Sequence, residues 1–306
     1  MRLEYDRIIT RVDPDIILAA IDGMGADGTL AIRTDLNRRD CIAIERALGR
    51  SWRIRFRRAG DVIWTCNSSL MVNVIEHPLD HYAGMLERGE TFSFLRYGDM
   101  LACVADTLYP GYGFQVFTPE LRADMLRSLV EYYRDSHYLM ALAPVYHFRR
   151  MGLWGHVARF LRDNHLDDIG WVGTEVFNRA MMRGELWPFI RALRSADTLV
   201  VGPEKLAALG ESVLPDAEFL SIPDRGCHAQ MDEMVEAVLV RRSPAVITVS
   251  AGPAAVVLIH RLFPSIGDRT TMISVGSLWG PFIGRPEHGD QCKLRGETMQ
   301  RNLGAV

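Results

Sequence analysis

The sequence has 306 residues, 48% of them hydrophobic and 24% charged, with a net charge of −3 at pH 7. This composition excludes an intrinsically disordered chain. The five cysteines are widely spaced and form no Cys-x-x-Cys pair, which argues against a disulfide framework or a zinc site and predicts a reducing, cytoplasmic setting. The longest apolar run, residues 245–259, is too short to cross a bilayer, and we expect neither a signal peptide nor a membrane partner.

Residues 1–75 are predicted to form a small α+β module. Asp13-Pro14 is typical of a helix start, because aspartate caps free N–H groups and proline is tolerated in the first turn. A short strand at 29–32 and a helix at about 38–48 follow. Apolar and basic side chains then alternate over 52–56, and a turn at 59–61 leads into a second apolar strand, which predicts a β-hairpin.

This N-terminal module carries an excess of positive charge. Between Arg33 and Arg58, nine arginines stand against three acidic residues, a local net charge of +6 that leaves −9 for the rest of the chain. A helix followed by a basic, aromatic-rich hairpin is what a winged-helix-like contact with nucleic acid needs. The alternative is a basic strand face that is solvated or packs on the acidic remainder. The candidate nucleic-acid contacts are Arg38, Arg39, Arg53, Arg55, Arg57 and Arg58.

From residue 76 onward, strands and helices alternate. The predicted strands are 91–97, 138–143, 169–172, 198–201, 218–222, 245–250 and 272–275, and the clearest helices are 119–134, 154–163, 186–194, 203–209, 229–240 and 253–263. This alternation predicts an α/β fold with a Rossmann-like, mostly parallel sheet and helices on its faces. We assign this domain to residues 76–285 and regard residues 286–306 as a polar C-terminal tail.

Two strand-to-helix junctions of this domain share one design, in which the strand ends in glycine and the helix begins with proline. Glycine lets a ligand approach the backbone, and a helix N-terminus offers free N–H groups and partial positive charge to a phosphate. Ligands of open α/β sheets bind at the carboxyl ends of strands, so these junctions and a third glycine predict phosphate or nucleotide binding. The alternative is that each Gly-Pro pair only ends a strand and starts a helix, without binding a ligand. The junction residues that we expect to contact a donor are Gly202, Glu204, Gly252, Pro253, Ala254, Gly276 and Ser277.

A second signal lies at the end of the predicted strand 91–97, which delivers Arg96, a turn at Gly98 and then Asp99. The arginine can pair with phosphate through two parallel hydrogen bonds. The aspartate can hold a divalent metal that bridges a diphosphate, or act as a base. A structural Arg96–Asp99 ion pair, with Asp99 capping the next helix, accounts for the same residues equally well.

Residues 90–99, which read Glu-Thr-Phe-Ser-Phe-Leu-Arg-Tyr-Gly-Asp, resemble the opening motif of the GT-D glycosyltransferases, where a strand ends in Arg-Phe-Gly-Asp-Gly-Glu. Further segments resemble that family in the same order along the chain. They are 199–204, 221–223 with Asp232-Glu233, 250–258 and 273–276.

The resemblance implies a Rossmann-like fold, a nucleotide-diphospho-sugar donor and a divalent metal, Mn²⁺ or Mg²⁺. Arg96 and Asp99 would be the catalytic residues, with Asp99 as the metal ligand. Tyr97 and Gly98 lie inside the motif and would contact the donor. Arg179, on a predicted helix, is a further candidate for donor binding.

The chain departs from the family pattern at two places. Leu101 replaces the glutamate of the motif, and Ser277 and Trp279 replace the later histidine and aspartate. Metal dependence and the identity of the base therefore stay open. The candidates for the missing acid are Asp106, Asp232 and Glu175.

The sequence favours a glycosyltransferase, of the hexosyltransferase kind, that moves a sugar from a nucleotide-sugar to an acceptor hydroxyl. The basic N-terminal module suggests a nucleic-acid acceptor, such as a hydroxymethylated pyrimidine in viral DNA, which would place the protein in the host cytoplasm. One alternative is a glycosyltransferase that acts on a polysaccharide or glycoprotein. Another is a non-catalytic protein that binds nucleotides or nucleic acid. Oligomeric state is not predicted.

Overall fold

The computed structural model describes residues 7–9, 30–32, 54–59, 61–66, 74–98, 100–105, 117–143, 148, 154–167, 169–241, 244–286, 291, 294 and 296–305. The chain divides into two compact units. The first contains residues 1–73 and 144–169, and the second contains residues 74–143 and 170–306.

In the first unit the described strands form two small sheets. Strands β1 (Arg7–Ile9) and β2 (Leu30–Ile32) pair in parallel. Strands β3 (Ile54–Ala59) and β4 (Asp61–Cys66) form the antiparallel hairpin that the sequence predicts, and a helix spans Trp154–Asp163. The helices predicted near 13–22 and 38–48 lie outside the described residues, as do Arg38, Arg39 and Arg53.

The second unit is built on eight strands that all run parallel, which confirms the predicted fold class. Their order across the sheet is β10-β9-β11-β12-β6-β7-β8-β5. Each of the seven predicted strands is present, and the two-residue β5 is additional. The strands are β5 (Val74–Ile75), β6 (Ser93–Gly98), β7 (Tyr138–Leu142), β8 (Trp171–Gly173), β9 (Thr198–Pro203), β10 (Glu218–Ile222), β11 (Val246–Val249) and β12 (Thr271–Ser274).

Helices cover both faces of this sheet, and alternate side chains of β6 point to different faces. Phe94 packs against Tyr82 and Phe177 on one face, whereas the Tyr97 hydroxyl reaches Ser128 on the other. The described helices of the second unit are α1 (Leu79–Glu87), α2 (Leu101–Ala105), α3 (Pro119–Val130), α4 (Val176–Arg183), α5 (Trp187–Ser195), α6 (Met231–Leu239), α7 (Ala254–Ile266) and α8 (Glu297–Asn302). Helices α1, α4, α5 and α8 share the Phe94 face, and α2, α3, α6 and α7 share the Tyr97 face.

The helix predicted at 203–209 is a 3-10 helix, Glu204–Glu211. Two further 3-10 helices are Cys227–Gln230 and Gly280–Ile283. None of the described helices has the length and apolarity that crossing a membrane requires.

Helix α8 lies within the region predicted to be a polar tail and is anchored by one buried side chain. The Asn302 Oδ1 accepts a hydrogen bond from the Leu186 N–H at 3.0 Å, and its Nδ2 donates to the Met181 carbonyl at 2.8 Å. These backbone groups lie at the start of α5 and the end of α4, where helices leave polar groups without partners. Asn302 therefore joins three helices.

We expect Asn302→Ala to lower the free energy of unfolding by about 1–3 kcal/mol, because the buried Leu186 N–H loses its partner. Gln300→Ala, at an exposed position of the same helix, is the control and should change it by less than about 0.5 kcal/mol. Urea denaturation measures both variants. Equal losses would contradict the anchoring role of Asn302.

A chain of buried polar side chains lies between the sheet and α3. The Tyr97 hydroxyl is 3.0 Å from Ser128 Oγ, and the Tyr138 hydroxyl donates to the Ser128 carbonyl at 2.9 Å. The Tyr138 hydroxyl is also 3.2 Å from His260 Nδ1, and His260 Nε2 is 3.1 Å from a Glu131 oxygen. The chain ties β6 and β7 to α3 and α7.

Burial lowers the pKa of His260. The nearby Glu131 carboxylate acts in the opposite direction, but it is exposed, so solvent screens its attraction for the protonated imidazole and the effect of burial is larger. Since the unfolded pKa is about 6.5, the unfolded chain binds more protons between that pH and the lower folded pKa. Stability should therefore fall as the pH drops below about 6.5. We expect His260→Gln to lose less stability than wild type between pH 7.5 and 5.5 in urea denaturation. Burial also lowers the pKa of His77, but His77 is present in both proteins and its contribution cancels. Equal losses of stability in wild type and His260→Gln would contradict the role of His260.

Candidate functional site

At the carboxyl edge of the sheet, the chain segments that follow the neighbouring strands β9 and β11 leave toward opposite faces. The 3-10 helix after β9 packs with the α5 face through Leu206 and Leu209, whereas α7, which follows β11, packs on α3 and α6. Strands β9 and β11 are neighbours, so their connections leave to opposite faces and open a crevice between the two strand ends. Ligands of open α/β sheets bind in such a crevice. Both glycine–proline junctions flank it.

Three neighbouring strands of this edge end in a left-handed glycine. Gly252 (φ 55°), Gly276 (φ 59°) and Gly98 (φ 53°) follow or end β11, β12 and β6. At Gly98, no atom of the described residues lies within 4 Å of the position that a Cβ would occupy. Among the described residues, none therefore fills the space beside Gly98, the residue before Asp99.

The N-terminus of α7 has free polar groups. No side chain caps it, and its first turn contains no acidic residue. The Ser250 hydroxyl, two residues before Gly252, is buried and has no hydrogen-bond partner among the described residues. Pro253 has no N–H, and the Ala255 N–H donates to the Gly252 carbonyl at 3.2 Å. The groups of this turn that could bind an anion are therefore the Ala254 N–H and the Ser250 hydroxyl.

Gly202 has a different role from the other junction glycines. It is buried, and a Cβ there would lie 2.6 Å from Leu206 Cδ1. The packing of the 3-10 helix therefore already accounts for glycine at this position. Glu204 is exposed at the start of that helix, and Ser277 Oγ lies 3.3 Å from Gln291 Nε2. Donor contacts by these residues stay predictions.

Arg96 lies near the carboxyl end of β6, a central strand of the sheet, and its side chain is 20% exposed. One end of the guanidinium, Nη2, is 3.1 Å from Glu175 Oε1, and Glu175 also accepts a hydrogen bond from Thr174 Oγ1 at 3.2 Å. The other end, Nη1, lies 2.6 Å from where a Cβ of Gly276 would be. The guanidinium thus lies between Gly276, which follows β12, and Glu175, which follows β8.

The backbone of β6 is irregular at this point. Arg96 pairs with Ala141 of β7 and Gly98 pairs with the next residue, Leu142, so Tyr97 is an extra residue in the register. Bulges of this kind change the direction of a strand and are common next to active sites. The Tyr97 side chain is fully buried on the α3 face, away from Arg96, so any donor contact by Tyr97 involves its backbone.

Arg179 is placed further along the edge. Its Nη1 is 3.0 Å from Glu76 Oε2, with both side chains about half exposed. A Cβ on Gly173, at the end of β8, would lie 2.6 Å from the same Glu76 oxygen. Arg179 and Glu76 therefore form a second ion pair, at the ends of β8 and β5.

The structure distinguishes among the acids that the sequence leaves open. Asp99 and Asp106 lie outside the described residues. Asp232 is exposed on α6 and pairs with Arg261, so it is not part of the Arg96 cluster. Of the two candidates that the structure describes, Glu175 is the one that lies beside Arg96. Strand alternation predicts that Tyr97 points away from Arg96, but no sequence signal pairs Arg96 with Glu175, which is 79 residues away.

The described residues contain no group of three or more His, Cys, Asp or Glu that could hold a metal ion. A metal bound by Asp99 stays a prediction.

No family model and no curated protein matches the sequence. Three solved structures of the domain of unknown function 1792 share its fold over 75% of this chain. A selenomethionine-substituted structure has a TM-score of 0.57 at 14% identity, with 94% of its chain covered. A second, described as having a distinct glycosyltransferase fold, has a TM-score of 0.52 at 14% identity and 94% coverage. A third, described as a new glycosyltransferase from Streptococcus sanguinis, has a TM-score of 0.54 at 15% identity and 98% coverage. The chain thus has this fold, which confirms the structural part of the resemblance.

Proposed function

We propose that the protein is a glycosyltransferase that moves a sugar from a nucleotide-diphospho-sugar to an acceptor hydroxyl. The observation that carries the proposal is the Arg96 guanidinium, fixed at the carboxyl edge between Gly276 and Glu175. The crevice between β9 and β11 and the fold shared with domain 1792 support it.

In this proposal the donor diphosphate binds at the N-terminus of α7, beside the left-handed Gly252, with the Ala254 N–H and the Ser250 hydroxyl as its hydrogen-bond donors. Arg96 lies two strands away, with Nη1 beside β12, and neutralises the charge that develops on the diphosphate as the C–O bond breaks. The sugar would lie beside Gly98, where no described residue fills the space.

The resemblance to GT-D enzymes also implies a divalent metal, which would supply further charge neutralisation at the diphosphate. The described residues do not form such a site, so we derive no step through a metal. Asp99 as a ligand of Mn²⁺ or Mg²⁺ is part of the proposal and is tested by adding either ion or a chelator to the assay below.

A donor-cleavage screen tests the proposed function. The purified protein is incubated with a panel of nucleotide-sugars, with and without Mn²⁺, and released nucleoside diphosphate is measured. We expect release from one donor or a few related donors. Tight nucleotide binding without release from any donor would instead favour the non-catalytic protein.

For the acceptor, we propose a hydroxymethylated pyrimidine in DNA, because the segment 33–58 has a net charge of +6 and β3 contains Arg55, Arg57 and Arg58. Modified DNA should then raise nucleoside diphosphate release above the rate with unmodified DNA. The protein should also bind DNA-cellulose at low salt. Release that DNA does not change, with no retention on the column, would favour a polysaccharide or glycoprotein acceptor.

A further inference from the structure

We infer that Glu175 is a positioning residue of the proposed transfer, which holds the Arg96 guanidinium in place and weakens its grip on the released nucleoside diphosphate. The inference rests on the proposed function and goes beyond it by naming a second residue of the site and the steps that this residue controls. In this role Glu175 acts through Arg96, the residue to which it is paired.

The fold fixes the Glu175 carboxylate through both its backbone and its side chain. Glu175 follows β8 and is the N-cap residue of α4. The N–H of the preceding Thr174 donates to the Leu142 carbonyl of β7 at 3.2 Å, and the Glu175 carbonyl accepts from the fourth residue onward at 2.8 Å. Oε1 of the side chain accepts a hydrogen bond from the buried Thr174 hydroxyl at 3.2 Å. The carboxylate is therefore preorganised to bind a cation.

Two neighbours determine where the Arg96 guanidinium lies. Its Nη2 is 3.1 Å from Glu175 Oε1, in a pair whose side chains are 20% and 17% exposed. Its Nη1 occupies space that a Cβ at Gly276 would enter, at 2.6 Å. Gly276 provides room, whereas Glu175 provides attraction. Without the carboxylate, the flexible arginine side chain would populate other rotamers and meet the diphosphate in only some of them.

The same carboxylate limits how strongly Arg96 binds an anion. As an ion pair, Arg96 and Glu175 carry no net charge, and the diphosphate competes with Glu175 for one guanidinium. The released nucleoside diphosphate carries more negative charge than the donor, because its terminal phosphate is no longer esterified. Repulsion by Glu175 therefore acts more strongly on the product than on the donor and favours product release.

Two substitutions distinguish this role from that of a group that exchanges a proton. Glu175→Gln keeps an oxygen that accepts from Arg96 but removes the charge. We expect it to cleave donor in a single turnover within about threefold of the wild-type rate, and to bind nucleoside diphosphate about three- to tenfold more tightly. Glu175→Ala removes the oxygen as well, so cleavage should be at least about tenfold slower. Calorimetry measures binding, and cleavage is measured with the donor found in the screen.

Glu90→Ala is the matched control, because Glu90 pairs with Arg88 near the amino end of β6 and both side chains are exposed. It should change neither the cleavage rate nor the binding of nucleoside diphosphate.

A double-mutant cycle provides a readout that a merely structural role would not change. In the Arg96→Ala background, Glu175→Ala should alter the cleavage rate by less than about twofold, because the group that it positions is gone. Losses that multiply, a Glu175→Ala variant with the wild-type rate, or a Glu175→Gln variant as slow as Glu175→Ala would overturn the inference and leave the proposed function standing.

If Glu175→Ala does not fold, Glu175→Gln decides alone. Loss of its cleavage activity, or nucleoside diphosphate binding that is unchanged or weaker, would overturn the inference. Wild-type silence with every donor would overturn the proposed function and the inference together.

Discussion

Arg96→Ala is expected to lower the rate of donor cleavage by about 100- to 1,000-fold, the range observed when one preorganised donor to a developing negative charge is removed. Arg96 lies at the carboxyl edge with its guanidinium between Gly276 and Glu175. The loss should appear in kcat more than in KM, because the charge that Arg96 neutralises grows as the bond breaks.

Arg96→Lys separates charge from geometry. An ammonium group keeps the positive charge but cannot contact the diphosphate and Glu175 with two ends of one planar group. We expect activity between those of Arg96→Ala and wild type. Arg88→Ala removes an exposed arginine at the opposite edge and is the control. If Arg96→Ala and Arg88→Ala cleaved the donor equally fast, the proposed role of Arg96 would be wrong.

The fold was predictable because the central strands are short apolar runs that are followed by glycine and proline. Residues 198–201 and 245–250 are almost wholly apolar and end at glycine and proline, which is typical of strands buried on both faces. Strand β5 escaped prediction because it has only two residues, too few to show a period. Helix α8 escaped because Asn302 anchors it, through contacts more than a hundred residues away in sequence.

The site was predictable only in part. Arg96 and the glycine-ended junctions follow from local sequence, because each depends on what ends a strand. The partner of Arg96 does not, since β6 and β8 are not adjacent in the sheet and their separation depends on strand order. Gly202 shows the reverse case. Its sequence context suggests a ligand, but the space beside it is filled by Leu206, a contact that depends on the 3-10 geometry of the following turn.

Gly276→Ala is expected to lower donor cleavage by about 100-fold, because the new methyl group would displace the Arg96 guanidinium. A Cβ at this position would lie 2.6 Å from Nη1, and a shift of about 1 Å at a catalytic group can reduce a rate by that factor. Donor binding should weaken less than the rate falls, since the diphosphate contacts at α7 remain. Nucleoside diphosphate release and nucleotide binding measure the two effects separately.

The substitution also forces alanine into a left-handed backbone conformation, at a cost of about 1–2 kcal/mol in stability, and this strain must be distinguished from the displacement of Arg96. Gly284 provides the comparison, because its φ of 70° imposes similar strain and no described atom lies within 4 Å of its Cβ position. Gly284→Ala should therefore lose stability but keep donor cleavage. If both alanine variants lost activity in proportion to stability, strain alone would explain Gly276, and the contact with Arg96 would have no catalytic consequence.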